Sequence, residues 1–366
     1  MKITKTETFI VHAPIGLEIA DSHYRMGHWG FVGLKVFTDE GLVGTGYTGT
    51  HCAGDEMIKQ TIDRYFSPQL LGENPLHVKM LWDKLHGGNL HQVGRTGLIR
   101  YAHSAVDVAL WDICAKAASL PLWVLLGAAH AGSTILTYNT NVGWLHFSTA
   151  ELIENVERAV EAGWTGVKIK VGGPDPAQDV ARIREIRTRF GDSLRIMIDG
   201  NEGWDFNTAM YWGKRLEEYS VYWFEEPLHA DDVEGHAVLA RELSIAIAVG
   251  ENLLTRFAFR DYIKVRAVEF VQPDVTRVGG VTEWLKIADL ADCYNLPVVP
   301  HVGDMMQIHQ HLVAATQNSP MLEYIPWAQE LFEHPVQVRK GHAELPTVPG
   351  ASTDMRQDVF SRYRVD

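Results

Sequence analysis

Asp199, Glu225 and Glu251 each close a short apolar run, and about one strand–helix unit separates each from the next. Brought together they would repel. At an apolar strand end each would also lose hydration unless it is paired or bound to a cation. A set made only of carboxylate oxygens, without Cys or His, suits Mg²⁺ better than Zn²⁺. Helix capping or pairing with arginine explains one such residue, but poorly explains three in series. Lys168 and Lys170 lie two apart in the run Gly166–Val171, so both point to one side of a strand. Two adjacent ammonium groups lower each other's pKa, which suits a lysine general base near neutrality. Two solvated lysines on an exposed edge is the alternative, but the strands of a closed barrel have no edge. Asp274 and His301 end two successive runs, and a carboxylate beside an imidazole fixes its tautomer and raises its basicity. Glu323 lies in the last run.

These residues need a scaffold that gathers strand ends. From about Thr134, short β-rich runs alternate with amphipathic helical stretches. The runs are Thr134–Asn141, Gly166–Val171, Arg195–Asn201, Val221–Pro227, Ile245–Asn252, Val268–Asp274, Leu296–His301 and Met321–Pro326. Helices Ala150–Ala162, Pro176–Arg189, Thr208–Glu218 and Val281–Tyr294 lie between some of them. Such repetition means parallel strands with crossover helices, and eight strands in so short a span predict a closed barrel. Active sites of such barrels lie at the C-terminal strand ends, where all the residues above fall. No glycine-rich phosphate loop follows the first run, which weakens a dinucleotide-binding reading.

Before the barrel the pattern differs. Lys2–Val11 alternates as a strand, and Phe31–Phe37 and Leu42–Tyr47 flank a turn at Thr38-Asp39-Glu40-Gly41. Ala13–Gly30 reads as a polar loop. Tyr101–Lys116 has helical spacing. The last 40 or so residues lose the barrel rhythm and are expected to return to the N-terminal part. The expected division is a capping domain over 1–127, completed by 330–366, and a barrel over 128–329.

The 366 residues carry a formal net charge of −13, which argues against nucleic acid as a partner but not against a small anion held by a cation and local lysines. Three cysteines without close pairing argue against disulfides or a thiolate zinc site. The N-terminus lacks the apolar run of a signal peptide, and no stretch reaches membrane-span length. The expectation is a cytoplasmic protein with no membrane partner.

In this pattern a central cation would polarise a substrate carboxylate between an amine and an imidazole. That suits removal of an α-proton, a step opposed by the instability of the dianionic enolate. Lys168-x-Lys170, Asp199-x-Asn201, Glu225-Glu226-Pro227, Gly250-Glu251, Asp274 and His301 together resemble the enolase superfamily, in its mandelate racemase subgroup, over essentially the whole chain. The resemblance implies an α/β fold: a (β/α)7β TIM-like barrel with an N-terminal α+β capping domain. It implies one Mg²⁺ on Asp199, Glu225 and Glu251, Lys170 as one base, and Lys168 as a positive charge near the substrate carboxylate. It further implies His301, held by Asp274, as the opposite acid or base, Glu323 as a carboxylate-polarising acid, Asn201 as a contact to substrate or metal-bound water, and a homo-oligomer.

Members of the subgroup include sugar-acid dehydratases, racemases and cycloisomerases, with specificity set by the capping domain. Here the loop holds Leu17, Glu18, Asp21, His23, Tyr24, Arg25 and His28, with His23 and Arg25 as candidate substrate contacts. Its polarity suits hydroxyls or a second carboxylate better than a phenyl ring. A second loop, Thr48–Ala53, offers His51, and the first barrel strand offers Tyr138, Asn139 and Asn141. Trp144, Trp204 and Trp327 follow strand ends and could line the pocket. The expected reaction is dehydration of a polyhydroxylated sugar acid or diacid to a 2-keto-3-deoxy acid. Racemisation or epimerisation, lactone cycloisomerisation and, remotely, ligand binding without catalysis are the alternatives.

Overall fold

The computed structural model describes residues 1–87, 89–130 and 132–366. The chain opens with three antiparallel strands, β1 (Ile3–Ala20), β2 (Arg25–Thr38) and β3 (Val43–Thr50), in the order β1-β2-β3. Helix α1 (Leu98–Ala117) packs across them. The contact is close enough to require glycine: a Cβ at Gly46 would lie 2.1 Å from the Ala105 carbonyl oxygen. The sheet buries Val32, Leu34 and Val36 against Ala102, Ala105 and Ala109.

The expected polar loop over Ala13–Gly30 is instead mostly strand. β1 and β2 stay paired out to Pro14 with His28 and, after an irregularity, Ala20 with Arg25. The cause is an alternation hidden by polar composition: Ile15 and Ile19 are buried while Gly16 and Glu18 face out. Only the tip, residues 21–24, turns.

The barrel strands are β4 (Thr134–Asn139), β5 (Gly166–Lys170), β6 (Arg195–Asp199), β7 (Trp223–Glu225), β8 (Ala246–Val249), β9 (Phe270–Val271) and β10 (Leu322–Tyr324). They pair in parallel in chain order, and β10 closes against β4. The expected strand Leu296–His301 is reduced to a single bridge, Val271 to Val298. Pro297 and Pro300 have no N–H for a longer ladder. Between strands the chain forms helices whose first turns are fixed by Ser148, Asp175, Asp205, Asp232 and Thr255, each accepting a backbone N–H. Helices Val233–Glu242, Arg256–Lys264 and His309–Ala315 complete the alternation.

The end of the chain divides. Strands β11 (Val338–Arg339) and β12 (His342–Glu344) add to β4, on the barrel. The rest reaches the N-terminal sheet: Phe332 packs on Phe31 and Tyr47, the Thr353 hydroxyl donates to the Thr45 carbonyl, and the Val365 N–H donates to the Ile10 carbonyl. The return of 330–366 is thus shared between the two parts: Ile135 and Leu136 on the outer edge of β4 also needed a partner. No helix among the described residues is long and apolar enough to cross a membrane.

Candidate active site

Register places the chemistry. Lys170 pairs with Asp199, and Asp199 with Glu225, on adjacent parallel strands, so side chains at the same height point into the same space. Glu251 follows β8 by two residues. Among the described residues these three carboxylates form the one group of three potential metal ligands whose oxygens come within 4.8 Å of one another, and all three are buried. Glu251 Oε2 is buried without a hydrogen-bond partner. A hard cation would satisfy that oxygen and relieve the repulsion, so the donor set fits Mg²⁺.

The lysines brace this cluster. Lys168 Nζ lies 2.8 Å from Glu225 Oε1, 2.8 Å from Glu323 Oε1 and 3.1 Å from Asp199 Oδ2. Lys170 Nζ donates to Asp199 Oδ2 at 2.6 Å and to Asn201 Oδ1 at 2.7 Å. Mutual depression of the two lysine pKa values does not win here. Burial opposes their charge, but Glu225, Glu323 and Asp199 outweigh it for Lys168, and Asp199 does so for Lys170, so both are raised. Burial and Asp199 push Glu225 up to about 7 against the pull of Lys168.

At the other end of the triad stands His301. Its Nδ1 lies 2.7 Å from Asp274 Oδ2 and its Nε2 lies 3.3 Å from Glu251 Oε2. Asp274 is itself fixed, accepting from the Thr276 N–H and hydroxyl and from the Gly303 N–H. Burial works against a charged imidazole, yet Glu251 and Asp274 hold the His301 pKa above the ordinary histidine value. Glu323 makes acceptor contacts with the Thr140 hydroxyl at 2.6 Å and the Val302 N–H at 3.2 Å. Burial would raise its pKa, but Lys168 and His301 bring it below the ordinary carboxylate value.

A cavity of about 330 Å³ opens above these groups, between the strand ends and the N-terminal sheet. Lys168, Lys170, Asn201, Glu251, His301 and Glu323 reach it, as do His23 and His51. Three candidate contacts lie elsewhere. Arg25 is exposed and lines a separate groove with Ser22 and His146, because the β1–β2 ribbon turns its side chain away from the barrel. Tyr138 points beneath the site into the barrel interior, edge-on to Trp223 at 5.2 Å. Asn141 accepts from Trp327 Nε1 at 3.0 Å and supports that wall from behind. Trp144 and Trp327 line the cavity, whereas Trp204 packs on Phe224.

The sequence reading passed over Arg277, which lines the cavity and meets Glu251 Oε1 at 3.1 Å and Asp274 Oδ2 at 3.5 Å. The signal was its place three residues after Asp274, as a buried aspartate invites a nearby cation. Trp29 and Tyr101 were also missed, since neither follows a barrel strand.

The two parts of the chain match two family descriptions: residues 5–127 match the N-terminal domain of mandelate racemase and muconate lactonizing enzyme, and residues 151–359 match the enolase C-terminal domain-like family. The chain is 39% identical to the L-talarate/galactarate dehydratase of Salmonella typhimurium over 84% of its length and 76% of that protein. It is 33% identical to the arabinonate dehydratase of Saccharolobus solfataricus over 91% and 90% of the two chains. A crystal structure of L-talarate dehydratase from Polaromonas sp. JS666, complexed with Mg and L-glucarate, superposes with a TM-score of 0.92 at 35% identity, covering 100% of this chain and 98% of that one. With both parts matched and whole-length likeness in sequence and fold, the chain belongs to the enolase superfamily, in its mandelate racemase subgroup.

Proposed function

We propose that the protein is a Mg²⁺-dependent sugar-acid dehydratase that converts a hydroxylated acid to its 2-keto-3-deoxy product and water. The observation that carries this is the flanked triad: Asp199, Glu225 and Glu251, with Lys170 against the first and His301 against the last. When bound, the cation would offset most of the charge of the three carboxylates, polarise the substrate carboxylate, and weaken the anionic field that keeps Lys170 protonated. Dehydratases among the similar proteins support the reading.

Lys168 supplies positive charge where the substrate carboxylate gains electron density. Lys170 takes the α-proton. The electron pair of the broken C–H bond forms the enolate and then expels the β-hydroxyl, which leaves as water with a proton from His301. The resulting enol tautomerises to the 2-keto acid. Asp274 holds the His301 ring in register, and Glu323 fixes Lys168 and the Thr140 hydroxyl. Returning a proton to the α-carbon instead would give racemisation through the same groups.

Incubation of the Mg²⁺-loaded protein with a library of sugar acids should yield a semicarbazide-reactive keto acid. Lys170→Ala and His301→Asn should each abolish it with the fold intact. Near wild-type turnover by either variant would overturn the assignment. Deuterium appearing at the α-carbon from D₂O, with no keto acid from any substrate, would favour the racemase instead.

A further inference from the structure

The two ends of the cavity differ in chemistry. The permanent cations that line it, Lys168, Lys170 and Arg277, are already engaged, with Glu225 and Glu323, with Asp199, and with Glu251 respectively. The end formed by the capping part carries an apolar and aromatic wall, Met26, Trp29, Ile58, Leu98 and Tyr101, beside Asp21, His23, Thr50 and His51. Trp29 meets Trp327 at a tilt, ring centres 5.6 Å apart, and carries this wall onto the barrel side.

The ionisable groups at that end do not favour an anion. Asp21 is a carboxylate, fixed by the N–H groups of His23 and Tyr24, both at 2.8 Å. His51 is wedged between the rings of Tyr24 and Trp29, at 4.8 and 5.0 Å. Burial, then Arg277, push its pKa down to about 4, so it is neutral near pH 7. His23 is exposed at the rim, and Arg25 faces another groove.

We infer that the substrate carries a single carboxylate, held at the barrel end, and that its far end is an uncharged tail lying against the Trp29–Trp327 wall. A second carboxylate there would be stripped of water against indole and aliphatic surface, near Asp21, and the one permanent cation near that end among the described residues, Arg277, is already shared between Glu251 and Asp274. The C–H faces of a polyol chain pack on such rings, and a neutral hydroxyl costs far less to desolvate there than a carboxylate. The inference rests on the dehydratase reading only for its choice of probes. It separates this chain from its diacid-named relatives.

The test uses aldonates and aldarates matched in chain length and configuration, titrated calorimetrically into Mg²⁺-loaded His301→Asn protein. The best aldonate should bind at least about tenfold tighter than its matched aldarate, which is about 1.4 kcal/mol. The same ratio read as kcat/KM with wild-type protein guards against a variant that fails to fold. Leu98→Arg, which places a cation on the far wall, should shift the aldarate-to-aldonate affinity ratio at least about tenfold toward the aldarate. Aldarates binding as tightly as aldonates in the unmodified cavity, or no binding by any aldonate, would overturn the inference. Tight aldonate binding without keto acid from wild-type protein would instead sink the dehydratase reading and leave the one-carboxylate inference standing.

Discussion

Lys168 is the residue whose removal best separates charge balance from catalysis. Its side chain is 1% exposed and its ammonium lies within 3.1 Å of three carboxylates. Lys168→Met roughly keeps the volume and leaves Asp199, Glu225 and Glu323 buried around a thioether. Removing one partner from a buried ion cluster costs about 3–5 kcal/mol. Unfolding entropy is about 2.1 cal/mol/K per residue, so 366 residues unfolding as one unit give about 0.77 kcal/mol/K. The variant should therefore melt about 4–7 °C below wild type in chelator. Saturating Mg²⁺ should shrink the gap to less than half, because Asp199 and Glu225 then have a second cation to share. Scanning calorimetry with EDTA and with Mg²⁺ reads both quantities. An equal gap in the two conditions would refute the idea that lysine and metal neutralise the same carboxylates. A variant as stable as wild type in EDTA would refute the cluster's contribution altogether.

Asp274→Asn should lower kcat by about 10²–10⁴-fold, the usual worth of a positioned proton donor, because the amide cannot reproduce the acceptor contacts that orient His301; steady-state keto-acid formation checks it, and a loss under tenfold would count against the dyad. Gly250→Ala would put a Cβ 2.4–2.7 Å from the Gln272 backbone, which cannot yield as a side chain could. It should cost about 1–3 kcal/mol and weaken Mg²⁺ binding through the neighbouring Glu251, as read by thermal unfolding and metal titration. His311 is buried and its pKa is pushed down by burial to about 3 from the ordinary 6.5. The unfolded chain binds this proton below about pH 6.5 and the folded one does not, so stability falls as pH drops through that window, by about 1.4 kcal/mol per unit. His311→Gln should remove this slope, and the stability difference from wild type should move in the variant's favour by about 2 kcal/mol between pH 7.5 and 5, about 3 °C in melting temperature; a pH-independent difference would show that the imidazole titrates normally.

How much of this was readable beforehand depended on whether the signal was local. Asp199, Glu225 and Lys170 announce themselves because an ionisable residue closing an apolar strand is costly wherever that strand goes, so type and position alone mark the site. The parallel order of the strands follows from the strand–helix rhythm, and strand order then brings their ends together. The seventh strand was overread because its apolar run counts toward a strand, while Pro297 and Pro300 quietly remove the donors a ladder needs.

The capping contacts were not local in this sense. Arg25 looked like a substrate ligand because it is polar and sits in the right segment. Which side of the ribbon it faces is not given by simple alternation, because the β1–β2 pairing shifts register between Pro14–His28 and Ile19–Met26. Across that irregularity the ribbon presents both Met26 and Trp29 to the cavity and turns Arg25 out. The chemistry of α-proton removal is thus written in residue types at strand ends. Substrate choice is written in a strand pairing that breaks locally, which is why the sequence pointed to His23 and His51, which reach the cavity, and to Arg25, which does not, and passed over Trp29 and Tyr101 beside them.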